Sequence, residues 1–123
     1  MIPTILCVGA GSFFGGICRF LCSRFMSVYF PGSFPAGTFA VNLLGCLFIG
    51  IFYGLSENVI NPNLRLFLTV GFCGGFTTFS TFANEGLQLF KTGNVLQFAL
   101  YVSFSVFFGI LAVYAGSLLA RLF

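Results

Sequence analysis

The stretch Gly71-Phe72-Cys73-Gly74-Gly75-Phe76-Thr77-Thr78-Phe79-Ser80-Thr81-Phe82 decides how this chain is read. It lies inside an uncharged apolar segment, residues 66–84, long enough to cross a bilayer. A spanning segment has to satisfy its backbone hydrogen bonds internally. Two adjacent glycines followed by hydroxyl residues suit that poorly. Glycine costs about 1 kcal/mol relative to alanine in a helix interior, and Ser and Thr offer the backbone competing bonds. The pattern predicts a helix that breaks between Gly74 and Thr78. Such a break persists only where the freed backbone is buried in protein or lines an aqueous cavity. Freed carbonyls and helix C-terminal ends can hold a cation such as sodium. A glycine-rich packing surface is the plainer alternative; the dense hydroxyl run favours the break.

Around this stretch the chain is a membrane protein. Of 123 residues, 59% are hydrophobic and 6% charged, against about 25% charged in a soluble domain. There is no His, which removes the commonest metal ligand and general base. The five cysteines, Cys7, Cys18, Cys22, Cys46 and Cys73, all lie in or beside apolar segments. They read as small buried hydrophobes rather than a disulfide frame or metal site. No cleavable signal peptide is expected, because the N-terminus lacks a basic region.

Four spans are legible in a single domain covering residues 1–123, an all-α fold. The first runs from Ile2 to the low twenties, with Arg19 and Arg24 near its end. Pro31, Gly32, Ser33, Pro35 and Gly37 mark a connection. The second covers residues 36–56, and Glu57, Asn58 and Asn61-Pro62-Asn63 form the next turn. The third, broken span covers residues 64–90; the fourth covers residues 95–120. One side of the membrane then carries Arg65, Arg121 and the terminal amine, the other Arg19, Arg24 and Lys91, so charge gives almost no orientation. A short chain with few charges and a dual-topology chain inserted both ways both fit. A bundle of four apolar helices leaves no conduit, so transport would need a second subunit in a two-fold dimer. Gly11-x-x-x-Gly15 and Gly50-x-x-x-Gly54 suit close helix contact, within the chain or between copies.

The polar residues inside the spans are few. Asn42 sits deep in the second span with Thr38 one turn earlier. Its carboxamide either glues two helices, worth about 0.6 kcal/mol, or offers its NH2 to an anion. Tyr101 and Ser105 share a face of the fourth span and form a candidate polar track. Phe79 and Phe82 fall three apart. Core packing is the default for so common a residue, yet aromatic edges carry positive potential that suits a dehydrated anion. Arg19 and Glu85 are the charges nearest the span interiors, placed either at the lipid interface or at a pore mouth.

Together these residues resemble the Fluc, or CrcB, family of bacterial fluoride channels. The resemblance rests on Gly15-Gly16-Ile17-Cys18-Arg19-Phe20, on Gly37-Thr38-Phe39-Ala40-Val41-Asn42-Leu43-Leu44-Gly45, on Gly71 to Phe82 with Glu85, and on Tyr101 with Ser105. It runs over nearly the whole chain. Gly109 stands one turn after Ser105, where some members carry another hydroxyl. The resemblance implies an antiparallel, dual-topology homodimer in the bacterial cytoplasmic (inner) membrane, with two fluoride pores. It implies passive export that relieves fluoride toxicity. It places Asn42, Thr38, Phe79, Phe82, Tyr101 and Ser105 along the fluoride path, with Arg19 and Glu85 at a vestibule or pore mouth. It also implies a structural sodium ion at the dimer centre, on carbonyls of Gly74 and Thr77. Fluoride, sodium, a second copy and the lipid bilayer are the expected partners; nucleic acid is not.

The competing class is a small dual-topology proton-coupled drug exporter, which needs a carboxylate deep in a span. Glu57 and Glu85 lie near span ends. A structural membrane subunit is a third class. An enzyme is the least expected, as no nucleophile–base pair or metal cluster is present. The even charge balance makes a direct prediction. C-terminal reporter fusions should be active on both sides of the membrane, and activity on one side alone would remove dual topology.

Overall fold

The computed structural model describes residues 1–123 apart from Pro31, Ser33 and Glu57. Those three, read above as connection residues, lie outside the described residues. The described residues form helices and connections, with no strand among them. Four helical spans, Ile2–Tyr29, Ala36–Gly54, Pro62–Lys91 and Val95–Ala120, are long and apolar enough to cross a membrane. The protein is therefore a multi-pass membrane protein.

The first helix, α1 (Ile2–Tyr29), starts with Pro3 in its first turn, where a missing N–H costs nothing. It continues past the low twenties where its charges led us to end it. Neither arginine stops it. Arg19 turns inward to a backbone carbonyl, and Arg24 lies over the Phe20 ring, 5.8 Å from its centroid. Helix α2 (Ala36–Gly54) is followed by Asn61, whose side chain accepts from the Leu64 N–H at 2.8 Å and caps the third span. The Arg65 guanidinium donates to the Leu55 carbonyl and ties the start of the third span to the end of α2.

The third span is built in pieces. Helix α3 (Pro62–Leu66) passes into a π-helical segment, Phe67–Cys73, then into a single α turn, α4 (Gly74–Phe76). Residues 77–79 leave the helix, with Thr77 extended at φ −88°, ψ 161°. Helix α5 (Ser80–Lys91) resumes, and Gly93 at φ +86° makes the turn into α6 (Val95–Ala120). The break is where the sequence indicated, but the glycines do not cause it. Gly74 has ordinary helical angles, φ −62° and ψ −37°. The chain opens one turn later, at the hydroxyl residues. The π-helical stretch, which nothing in the pattern announced, widens the helix just before the break.

Glycine instead permits contact. A Cβ on Gly15 would lie 2.2 Å from the Phe72 carbonyl oxygen, and one on Gly75 would lie 2.7 Å from that of Ser12. Backbones of α1 and the third span therefore touch. Helices α2 and α6 pack most extensively and do the same: a Cβ on Gly50 would reach the Val113 carbonyl oxygen at 2.2 Å. Both glycine pairs singled out in the sequence thus serve packing within one chain. Large apolar side chains such as Phe13, Phe25 and Phe107 face outward, as a lipid-embedded bundle requires. We expect Gly15→Ala to lower stability by about 1–3 kcal/mol through overpacking. Gly9→Ala, with nothing within 4 Å of the new carbon, should be neutral or stabilising. Thermal unfolding in detergent would check both.

Candidate pore and ion site

At the break the helical ladder stops after the Thr77 N–H, which keeps its bond to the Cys73 carbonyl, and side chains from α1 and α2 take up several of the groups freed beyond it. Asn42 on α2 makes a two-point clasp on Thr78. Its Nδ2 donates to the Thr78 carbonyl at 3.1 Å, and its Oδ1 accepts from the Thr78 N–H at 2.9 Å. The carboxamide thus acts as a surrogate peptide unit, and one N–H of its NH2 remains to donate elsewhere. The Thr81 N–H donates to the Thr78 hydroxyl at 3.3 Å and starts α5. The Thr77 N–H and hydroxyl both donate to the Cys73 carbonyl, at 3.0 and 2.9 Å. From α1, Arg19 Nε donates to the Gly75 carbonyl at 3.1 Å.

These exchanges leave the carbonyls of Gly74, Phe76 and Thr77 without a hydrogen bond among the described residues, and two of them bear on the predicted ion site. In an unbroken helix Gly74 would accept from the Thr78 N–H and Thr77 from the Thr81 N–H. Both donors are committed elsewhere. Among the described residues, no hydrogen bond reaches either carbonyl oxygen. Gly74 also faces open space: an added Cβ would meet only the Thr69 carbonyl oxygen, at 3.9 Å. Uncommitted, neutral oxygens at the end of a helix fit a monovalent cation.

Two cavities adjoin the third span, and the smaller is the one lined by the break residues Thr77, Thr78 and Phe79. The larger, about 600 Å³, is lined by Ser23, Ser27, Thr38, Glu85, Gln88 and Asn94, among others. The Thr38 hydroxyl donates to the Glu85 carboxyl at 2.5 Å. The smaller, about 310 Å³, includes Asn42, Cys46, Thr77, Phe79, Phe82 and Ser105 in its wall. Tyr101 is 0% exposed, its ring packed against those of Phe82 at 5.0 Å and Phe34 at 5.4 Å. Phe79, 78% exposed, pairs with Phe82 at 5.8 Å. Ser105 Oγ is buried with no hydrogen-bond partner, and Tyr101 Oη, also buried, makes no well-formed hydrogen bond but lies close to the Thr38 hydroxyl.

The sequence-predicted residues therefore divide. Asn42, Phe79, Phe82 and Ser105 share the smaller cavity, while Thr38 and Glu85 line the larger. Tyr101 packs against Phe82. Arg19 is not part of either lining; it sits at the break. Sequence reasoning missed Ser23 and Ser27 in the larger cavity, although their i, i+4 spacing on α1 was visible. It also missed Cys46, whose sulfur lies 3.5 Å from where a Gly109 side chain would begin. All five cysteines are free thiols.

Comparison with known proteins follows the geometry. A family model described as CrcB-like protein, Camphor Resistance (CrcB), matches residues 6–117. The chain is 49% identical over 118 residues to a protein of Phocaeicola vulgatus named fluoride-specific ion channel FluC, covering 94% of this chain and 96% of that one. Proteins of the same name from Bacteroides fragilis and Flavobacterium psychrophilum are 48% and 41% identical, over 97% and 98% of both chains. The clasp at Thr78 yields a test of the geometry itself. Asn42→Asp should set a carboxylate oxygen against the Thr78 carbonyl and destabilise the fold by about 1–3 kcal/mol, read as a lowered unfolding temperature in detergent.

Proposed function

This chain belongs to the CrcB family, and we propose that it is a passive fluoride channel of the bacterial cytoplasmic membrane that lets accumulated fluoride leave the cell. The observation that carries the reading is the Ser105 hydroxyl, buried and unpartnered in the wall of the smaller cavity, with the buried Tyr101 hydroxyl one turn away on a ring packed against Phe82. An unpaired buried hydroxyl costs about 1–3 kcal/mol. Such a hydroxyl in a cavity wall at membrane depth, with a second donor one turn away, calls for a ligand that accepts hydrogen bonds. A small anion does so, and the ring edges of Phe79 and Phe82 add positive potential. The names of the relatives supply fluoride as the anion.

In this reading the functional unit is an antiparallel homodimer with two pores. Gly74 supports it, facing open space beside an uncommitted carbonyl. Sodium at the two-fold axis would be held by the carbonyls of Gly74 and Thr77 from each copy. It would offset the repulsion of converging oxygens. The pathway residues have distinct tasks. Tyr101 and Ser105 donate to the ion. Asn42 fixes the backbone of the break and retains one N–H toward the cavity. Thr38 holds the Glu85 carboxyl, so that one of its oxygens is engaged before an anion arrives.

Proteoliposomes loaded with fluoride test the reading. Efflux measured with a fluoride electrode, in potassium and valinomycin with no proton gradient, is the expected result. Efflux that requires a proton gradient would favour an exporter instead. Phe82→Ala should lower the rate by about tenfold or more while the protein elutes as wild type from a sizing column. Unchanged flux in Phe82→Ala and in Phe79→Ala would return both rings to ordinary packing.

A further inference from the structure

Arg19 is a permanently charged side chain within a membrane span, and the structure gives it an unusual partner. Its guanidinium donates not to a carboxylate but to a neutral carbonyl, that of Gly75, at 3.1 Å. Glu85, the acid inside the third span, is engaged by Thr38. The pair Arg19–Gly75 therefore leaves a net positive charge at the break. An uncompensated charge at that depth is costly and is a functional candidate by default.

The position is built, not incidental. Arg19 follows Gly15 by one turn on α1. There the two backbones touch, with the Gly15 Cβ position 2.2 Å from the Phe72 carbonyl oxygen and the Gly75 Cβ position 2.7 Å from that of Ser12. This contact fixes how far the arginine reaches. Its acceptor closes the helical run that begins at Pro62 and ends at Phe76. That end carries the negative pole of the helix dipole. It also carries the open carbonyls of Gly74 and Thr77 (beside Gly75 in sequence), which the proposed sodium ion would use.

We infer that Arg19 is a positioning residue that balances charge at the break. It occupies the Gly75 carbonyl and offsets the negative helix end with a fixed positive charge. This does two opposed things. It weakens the hold of the neighbouring carbonyls on a cation, so that the helix end is not over-attractive to sodium. It also keeps the potential next to the smaller cavity favourable to an anion. The inference rests on the fluoride-channel reading and on the sodium site proposed above.

The opposed signs make the test specific. Wild type, Arg19→Gln, Arg19→Met and Arg19→Lys are compared in two assays. One is the rise in unfolding temperature in detergent as sodium replaces N-methylglucamine, which reports sodium binding without any transport. The other is fluoride efflux from proteoliposomes. Removing the charge should lower fluoride efflux by about tenfold or more. It should also lower the sodium concentration giving half of the thermal shift by about three- to tenfold. Arg19→Lys should restore both toward wild type. A general loss of structure would weaken sodium binding and flux together. An unchanged or raised sodium midpoint in the neutral variants therefore overturns the inference, whatever their flux. If neither neutral variant folds, Arg19→Lys decides, and a folded lysine variant conducting below about a tenth of wild type overturns it. Wild-type protein without a sodium-dependent thermal shift also overturns it. Wild type that shows the shift but no fluoride efflux instead defeats the channel reading and leaves the charge balance testable by the thermal assay.

Discussion

The rest of this structure depends on one constraint. A helix interrupted inside a bilayer must satisfy its exposed backbone groups with protein, because lipid offers no hydrogen bonds. At residues 77–79 the i→i+4 ladder ends, and the freed groups are taken up by other helices, taken up by Thr78 itself, or left open. Asn42 comes from α2 and Arg19 from α1. Neither could reach if its helix were shifted by a turn, so the register of the whole bundle is coupled to the break. The glycine contacts fix that register. They bring α1 against the third span and α2 against α6 at backbone distance, where any side chain would intrude. Packing and hydrogen bonding are thus one problem here: small residues set the approach, and the approach delivers the caps.

How much of this was legible follows from what each feature rests on. Four spans and the location of the break came from residue-level chemistry: charge-free lengths, turn residues and a run of hydroxyls after Gly74-Gly75. The cause of the break did not. Glycine has the same low side-chain volume whether it loosens a helix or lets another helix touch it, and only coordinates separate the two. Gly75 does the second. The end of α1 was misplaced for a related reason. An arginine near a span end normally reaches for the headgroups, and the inward acceptor that lets α1 continue to Tyr29 is a backbone carbonyl more than fifty residues away. The π-helical segment had no pattern to reveal it. In the candidate pore, Tyr101 and Ser105 were visible as a shared face. That Ser105 Oγ would be left without a partner, and Tyr101 Oη without a well-formed hydrogen bond, depends on Phe82, Phe34 and Cys46, whose positions arise only from packing.

Hydroxyls alone do not choose the sign of an ion, because each can donate or accept. The preference for an anion has to come from groups that only donate or that carry positive potential. Around the smaller cavity these are distributed. Asn42 spends its oxygen on the Thr78 N–H and keeps an N–H in reserve. Helix α5 begins at Ser80, next to Phe79 and Phe82 in the cavity wall, and a helix start carries a positive pole. The aromatic edges contribute more weakly. Each opposing element has a partner. The negative pole of the helix ending at Phe76 meets Arg19, and the Glu85 carboxyl, across in the larger cavity, is held by Thr38. One broken helix therefore exposes both of its ends at the break, one with open carbonyls and the other starting beside the smaller cavity. What keeps these environments distinct is not distance but assignment: a partner taken at the break fixes which way that group's charge points. On this argument the hydroxyl run after Gly74-Gly75 matters less for loosening the helix than for the Thr78 backbone and hydroxyl it supplies. Asn42 Oδ1 takes the Thr78 N–H and the Thr78 hydroxyl takes the Thr81 N–H, the two donors that would otherwise have closed the Gly74 and Thr77 carbonyls.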